Sequence, residues 1–211
     1  MNILIISVHP DDETLGCGGT ILKLKEKGHS VNCMFITDGN SQQSLIIEKV
    51  NRIYGFKAIY RMSLPETEID QIKLNDIIGS MSKFIIKSNA EIIFAPNRSD
   101  VHSDHRTIFN ALISSTKSFR APFIKGIYMF ETLSETEFAP ALAENAFIPN
   151  TFVDITDYLD TKIEIMKIYE TEIMPDPLPR SAHAIKGLAA FRGSRIGVKY
   201  AEAFMCIFQR F

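Results

Sequence analysis

Cysteine is scarce in this sequence. Cys17, Cys33 and Cys206 are scattered, odd in number and never spaced as CxxC, so a disulfide framework is not expected and a reduced, cytoplasmic thiol state fits best. An excess of positive charge is also missing. The 23 Lys+Arg residues stand against 25 Asp+Glu, a formal net charge of −2, and the basic stripe of a duplex-DNA binder is absent, so no nucleic-acid partner is expected. There is no long hydrophobic run. The apolar stretch at residues 2–8 is too short to span a bilayer and lacks the basic n-region and small-residue cleavage site of a signal peptide, so no membrane association is expected. Repeats and low-complexity tracts are lacking, and no GxSxG motif offers an activated serine. What remains is ordinary globular material: 45% hydrophobic and 23% charged over 211 residues, which excludes disorder and fits one domain over residues 1–211.

The hydrophobic pattern alternates between two kinds of segment. Residues 2–8 (NILIISV) are continuously apolar and β-branched, as in a strand buried on both faces of a parallel sheet. Residues 14–27 have helical spacing and end at Gly28, and residues 31–37 form a second buried strand ended by Asp38-Gly39. The same reading gives helices at 44–54, 66–87, 105–115 and 158–172. It gives strands at 57–61, 91–95, 126–130 and 151–155, and an ordered loop at PDPLPR (175–180). Alternating strands and helices predict a three-layer α/β/α, Rossmann-like fold with a mostly parallel sheet. Sites in such sheets lie beyond the carboxyl ends of the strands, which directs attention to the residues after Val8, Thr37 and Ala95.

Two of those strand ends carry metal-competent side chains. After the first comes His9-Pro10-Asp11-Asp12-Glu13; after the fourth comes Asp100-Val101-His102-Ser103-Asp104-His105. Three of the five histidines of the chain lie in these two segments. His9 and Asp12, three apart across a turn into a helix, can face one ion, and His105 can complete the shell from the neighbouring strand end. Two histidines, a carboxylate and an open position form a catalytic zinc site, although Fe²⁺ and other divalent ions accept the same donors. Singly, each segment reads as a turn or a helix cap. Together, three acids beside one buried strand end repel one another unless a cation compensates. A rival motif overlaps the first segment. Gly16-Cys17-Gly18-Gly19 follows a strand, opens a helix and has Asp38 about 20 residues on, echoing a dinucleotide-binding fingerprint. The third glycine of that fingerprint would fall at Ile21, and three carboxylates precede the place where a pyrophosphate would bind. The glycines therefore read as helix–sheet packing.

HPDDE, GCGGT, TDG and DxHxDH together resemble the PIG-L/LmbE-type N-acetylglucosaminyl deacetylases. The stretch Phe152–Ile155 with Lys162 and Tyr169, and Arg192-Gly193 through Gly197 to Phe204, also look like that family's C-terminal half. The resemblance implies zinc held by His9, Asp12 and His105. It implies Asp11 as general base toward the activated water, and His102 as the group that stabilises the tetrahedral intermediate or protonates the leaving amine. Asp104 would orient His102 by hydrogen bonding. The implied substrate is a small-molecule N-acetylated amino sugar or its conjugate, hydrolysed at its linear amide bond. One departure is visible: many members carry an Arg and a Glu on the helix after TDG, where this chain has Gln42-Gln43-Ser44-Leu45-Ile46-Ile47, with Glu48 and Arg52 out of register. Arg98 and Arg192 are candidate anion contacts, although most arginines are solvated surface charge. Hydrolysis of another amide or ester on the same scaffold, and a non-catalytic nucleotide-binding domain built on Gly16–Gly19, are the alternatives. The phenylalanine-rich end at residues 204–211 reads equally as core or as an interface in a homo-oligomer.

Overall fold

The computed structural model describes residues 1–37 and 41–211; the expected strand end at Asp38-Gly39, and Asp38 as an acidic partner of the glycine loop, lie outside the described residues. Strand β1 (Asn2–Ser7) runs up the middle of the sheet, flanked by β2 (Ser30–Phe35) and β4 (Ile92–Pro96), with β3 (Ile59–Arg61) outside β2. Beyond β4 lie β5 (Gly126–Phe130), β7 (Ala201–Gln209) and β6 (Thr151–Asp154), completing the order β3-β2-β1-β4-β5-β7-β6 among the described residues. The pairings from β3 to β5 are parallel, and β7 runs antiparallel to both of its neighbours. The mostly parallel α/β architecture expected from the sequence is therefore present.

Period-two alternation sorts the buried strand residues into two cores. Ile3 and Ile5 of β1 face α1 (Asp12–Glu26), α2 (Ser41–Tyr54), α5 (Leu159–Met166) and α6 (Ala182–Ser194). Leu4 and Ile6 face α3 (Leu74–Ser88) and α4 (Ser103–Ser115) on the other side. A strand buried on both faces has no polar position to spare, hence the unbroken apolar run. Gly28 sits in the left-handed region at φ 76 and closes α1, with its N–H donated to the Lys25 carbonyl at 2.9 Å.

Two expectations need correction, and two elements were not anticipated. The helix anticipated over 66–87 is a short 3₁₀ turn, Ile69–Gln71, followed by α3. Met62 and Leu64 still pair with the β2 side of the sheet and Thr67 has φ 66, so the chain cannot be helical there. The helix anticipated over 158–172 is α5 alone, with turns after Met166 that bring the Tyr169 hydroxyl to Glu13. Helix α6 and strand β7 escaped the sequence reading altogether. The Ser181 side chain caps α6 by accepting from the Ala184 N–H at 3.1 Å, whereas β7 reads ambiguously because only its first four residues are buried.

Candidate metal centre

The sheet order reverses direction between β1 and β4, which opens a crevice at their carboxyl ends. Both histidine segments empty into it. The turn after β1 is tight: the Asp12 N–H reaches the His9 carbonyl at 3.2 Å, and Asp11 takes φ 141. An aspartate at that angle is backbone strain, of a kind that clusters at functional sites. After β4 the chain passes Asp100 and enters α4, with His102 as its N-cap and Asp104 and His105 in the first turn.

His9 Nδ1 lies 3.3 Å from His105 Nε2, which lies 3.3 Å from Asp12 Oδ2. The other ring nitrogen of each histidine already has a carboxylate: His9 Nε2 is 3.1 Å from Asp104 Oδ2, and His105 Nδ1 is 2.8 Å from Asp100 Oδ2. When each ring gives its N–H to that carboxylate, two imidazole lone pairs and one carboxylate oxygen converge with no proton among them. Such a set needs a cation, and carboxylates behind metal-ligating histidines are the usual support. The residues thus fit a divalent ion. A second triad, His9, His102 and Asp104, also has ligand-capable atoms within 4.8 Å of one another, and buried Asp104 Oδ1 has no hydrogen-bond partner.

The electrostatics follow from burial. Burial penalises the charge on Asp12, but the neighbouring His105 and His9 outweigh it and bring the carboxyl down to about 2. His105 is pushed well above the ordinary histidine range, burial being overcome by Asp12 and Asp100. Asp11 is raised well above the ordinary carboxyl value by burial and by Asp12, against the pull of Arg180. Glu13 turns away from the centre into the core, accepting from Ser7, Thr14 and Tyr169, so burial raises its carboxyl as well. His102 is lowered, by burial first and then by His9 and His105. Its Nδ1 accepts the Asp104 backbone N–H at 3.2 Å, which leaves its proton on Nε2. Asp104 thus orients His102 through its amide, while its carboxylate lies 3.9 Å from that ring and is turned to His9 and the Thr67 N–H.

A cleft of about 220 Å³ stands over the centre. Of the six residues singled out beforehand, His9, Asp11, Asp12 and His102 line it, and His105 and Asp104 are buried beneath. Arg98 and Arg192 do not reach it. Arg192 is clamped by Glu131 at 2.7 and 2.6 Å, and Arg98 donates to the Glu144 carbonyl at 2.7 Å in a separate groove. The arginine that does line the cleft is Arg180, from the proline-rich loop, with Nη1 at 2.8 Å from Glu172 and 3.3 Å from Asp11. Helix α2 contributes Gln43, in the region where the Arg and Glu pattern was absent. Arg180 carried no sequence signal beyond the loop around it, and the support by Asp100 was readable only as one more acid in DxHxDH.

The glycine loop is packed, not open. A Cβ on Gly16 would meet the Phe130 ring at 2.0 Å and one on Gly19 would meet Ile155 at 2.7 Å, so these glycines allow α1 to lie against the sheet. Among the described residues no helix is long and apolar enough to cross a membrane.

Known proteins resemble this chain in sequence and in fold. The curated diacetylchitobiose deacetylase of Thermococcus kodakarensis is 24% identical over 217 residues, covering 95% of this chain and 80% of that protein. The conserved protein TT1542 from Thermus thermophilus shares the fold with a TM-score of 0.80 at 20% identity, over 100% of this chain and 96% of that one. The N,N'-diacetylchitobiose deacetylase of Pyrococcus horikoshii does so with a TM-score of 0.76 at 24% identity, over 97% and 83%. The profile of the PIG-L family, described as GlcNAc-PI de-N-acetylase, matches residues 4–116, a span that contains both histidine segments. The chain belongs to the PIG-L family of deacetylases.

Proposed function

We propose that this chain removes the acetyl group from an N-acetylated amino sugar or its conjugate by metal-dependent hydrolysis, with His9, Asp12 and His105 as the ligands and zinc as the ion. The observation that carries the reading is the convergence of His9 Nδ1, His105 Nε2 and Asp12 Oδ2 beneath a cleft, each histidine backed by a carboxylate. A divalent ion held there supplies Lewis-acid polarisation of the acetamide carbonyl and acidifies water.

The chain's own groups supply the rest. Asp11 is a carboxylate whose proton affinity is raised by burial, which suits a general base near neutral pH. It takes a proton from the attacking water as the new C–O bond forms. It then passes that proton to the nitrogen as the C–N bond breaks, giving acetate and a free amine. Arg180 holds Asp11 Oδ2 at 3.3 Å and so fixes the carboxylate's direction. His102 keeps its proton on Nε2 because Nδ1 is occupied by a backbone N–H. A neutral imidazole in that tautomer donates a hydrogen bond to the developing oxyanion, which favours stabilisation over proton donation as its role.

Acetate release from N-acetylglucosamine oligosaccharides, measured on chelated and zinc-reloaded protein, tests the reading. Release restored by the metal is expected. No release from any N-acetylated sugar in the reloaded protein would overturn it.

A further inference from the structure

We infer that the turn after β5, through Thr132 and Glu135, binds the part of the substrate that does not react, and that this part is an amino sugar with a free, protonated amine. The inference rests on the deacetylase reading for the acetamide beside it. Thr132 is 2% exposed, lines the cleft, and its hydroxyl has no hydrogen-bond partner. Glu135 lines the same cleft, and its Oε2 is likewise buried and unpartnered. Buried polar atoms left unpaired are costly and uncommon in native proteins, so two on one turn that borders one cleft point to a ligand that pairs them. A carboxylate only accepts, and a hydroxyl accepts as well as donates. The missing group is therefore rich in N–H or O–H donors.

The turn is held in fixed relation to the metal centre. The Thr132 carbonyl accepts the N–H groups of Glu135 and Thr136 at 3.1 and 2.9 Å. The Thr136 hydroxyl accepts the Thr132 N–H and donates to Asp100 Oδ1 at 2.7 Å, and Asp100 in turn holds His105. A group bound at Thr132 and Glu135 is thereby placed beside the reacting centre.

Charge selects among donors. Asp11, Asp12, Glu66, Glu135 and Glu172 line the cleft, against the single cation Arg180 among the described residues. Arg180 is already shared by Asp11 and Glu172, and Asp12 is engaged by His105. Glu135 makes no ion pair among the described residues, although His105 and His9 act on it through their field. A divalent ion at the centre would add two positive charges to Arg180 and still leave the five carboxylates in excess. A phosphate or carboxylate on the substrate would meet like charge in a partly desolvated cleft, whereas an ammonium would be drawn in.

The test is calorimetric titration of the full chain, zinc-loaded, at a pH where the sugar amine is protonated. Three probes are used: the glucosamine dimer with both amines free, its di-N-acetyl counterpart, and N-acetylglucosamine 6-phosphate. The dimer should bind about tenfold more tightly than its acetylated form, the size of one hydrogen bond to a charged group, and the phosphate more weakly than either. Glu135→Gln, which breaks no hydrogen bond or ion pair among the described residues, should abolish the preference for the amine, weakening the glucosamine dimer by about tenfold and the acetylated dimer by less. Thr132→Val should weaken the dimer with no loss of thermal stability, and serves if the first variant misfolds. Equal affinity for the amine and acetylated forms, tighter binding of the phosphate, or a Glu135→Gln effect of equal size on all probes would overturn the inference. Acetate release from the mono-N-acetylated dimer separates the two readings. Amine preference without release removes the deacetylase and leaves the subsite; release without amine preference removes the subsite alone.

Discussion

Asp11 and His105 behave differently because one faces the cleft and the other faces the ligand set. Asp11 contributes no atom to the triad of His9, Asp12 and His105. Asp11→Asn should therefore lower acetate release by about 10²–10⁴-fold, the usual loss on removing a general base, with zinc stoichiometry by mass spectrometry unchanged. Near-normal turnover would remove Asp11 from that role. His105 predicts a pH effect. Its raised proton affinity in the metal-free chain means that the ring is charged below that value, and the ion pair with Asp12 stabilises the fold most there and is lost as pH rises through it. A metal must displace this proton, so affinity should rise about tenfold per pH unit until the ring is neutral. Asp12, held down at about 2, stays ionised throughout and adds no slope. Proton release measured by titration in buffers of different ionisation enthalpy checks this; pH-independent binding would show that His105 is not a ligand.

Helix α1 is the element on which the site depends. Its helical path is interrupted at Cys17, with φ −146 and ψ 24, and the freed backbone groups are taken up by a buried ion pair. Glu202 of β7 accepts the N–H groups of Gly19 and Thr20 at 2.9 and 2.7 Å, and Lys162 of α5 donates to the Leu15 carbonyl at 2.8 Å and to Glu202 at 2.7 Å. The kink thereby ties the first helix to elements from the far end of the chain. Glu202→Ala leaves Lys162 uncompensated and two N–H groups unpaired, and should destabilise the protein by about 3–5 kcal/mol in denaturant titration. Gly16→Ala meets the Phe130 ring and should lose about 1–3 kcal/mol through overpacking. An unchanged midpoint in either variant would show that the kink is not held in this way. Strands β1 and β2 and helices α1 and α2 were legible because the strands are buried on both faces and the helices are followed by glycines in the left-handed region, Gly28 and Gly55. Residues 66–87 misled because a helical set of apolar residues, Ile69 to Ile85, is shared between a 3₁₀ turn and α3, both packed on one core. Helix α6 and β7 were missed for the opposite reason: the helix begins behind a proline-rich loop, and the strand has only one well-buried half.

At the scale of the molecule, the proposed metal centre would couple folding to ligand. The donors converge from loops after β1 and β4 and exist as a set only in the folded chain, so zinc should stabilise it by mass action, by about 2.7 kcal/mol at a hundredfold excess over the dissociation constant. Calorimetric melting with and without chelator checks this, and His105→Ala should erase the difference. A metal-independent melting temperature in the unaltered chain would contradict the site.

The sequence by itself determined the parallel α/β plan and the two segments that carry the proposed metal donors. Both are local signals: continuous apolar runs, capping residues, and histidines and acids within a few positions of a strand end. Tertiary structure alone decided which nitrogen of each histidine is free, that the carboxylate of Asp104 serves His9, and that Arg180, Thr132 and Glu135 border the cleft. Those outcomes depend on contacts between residues far apart in the chain, set by the sheet order and by the packing of α1 against β7. No pattern of neighbouring residues encodes them.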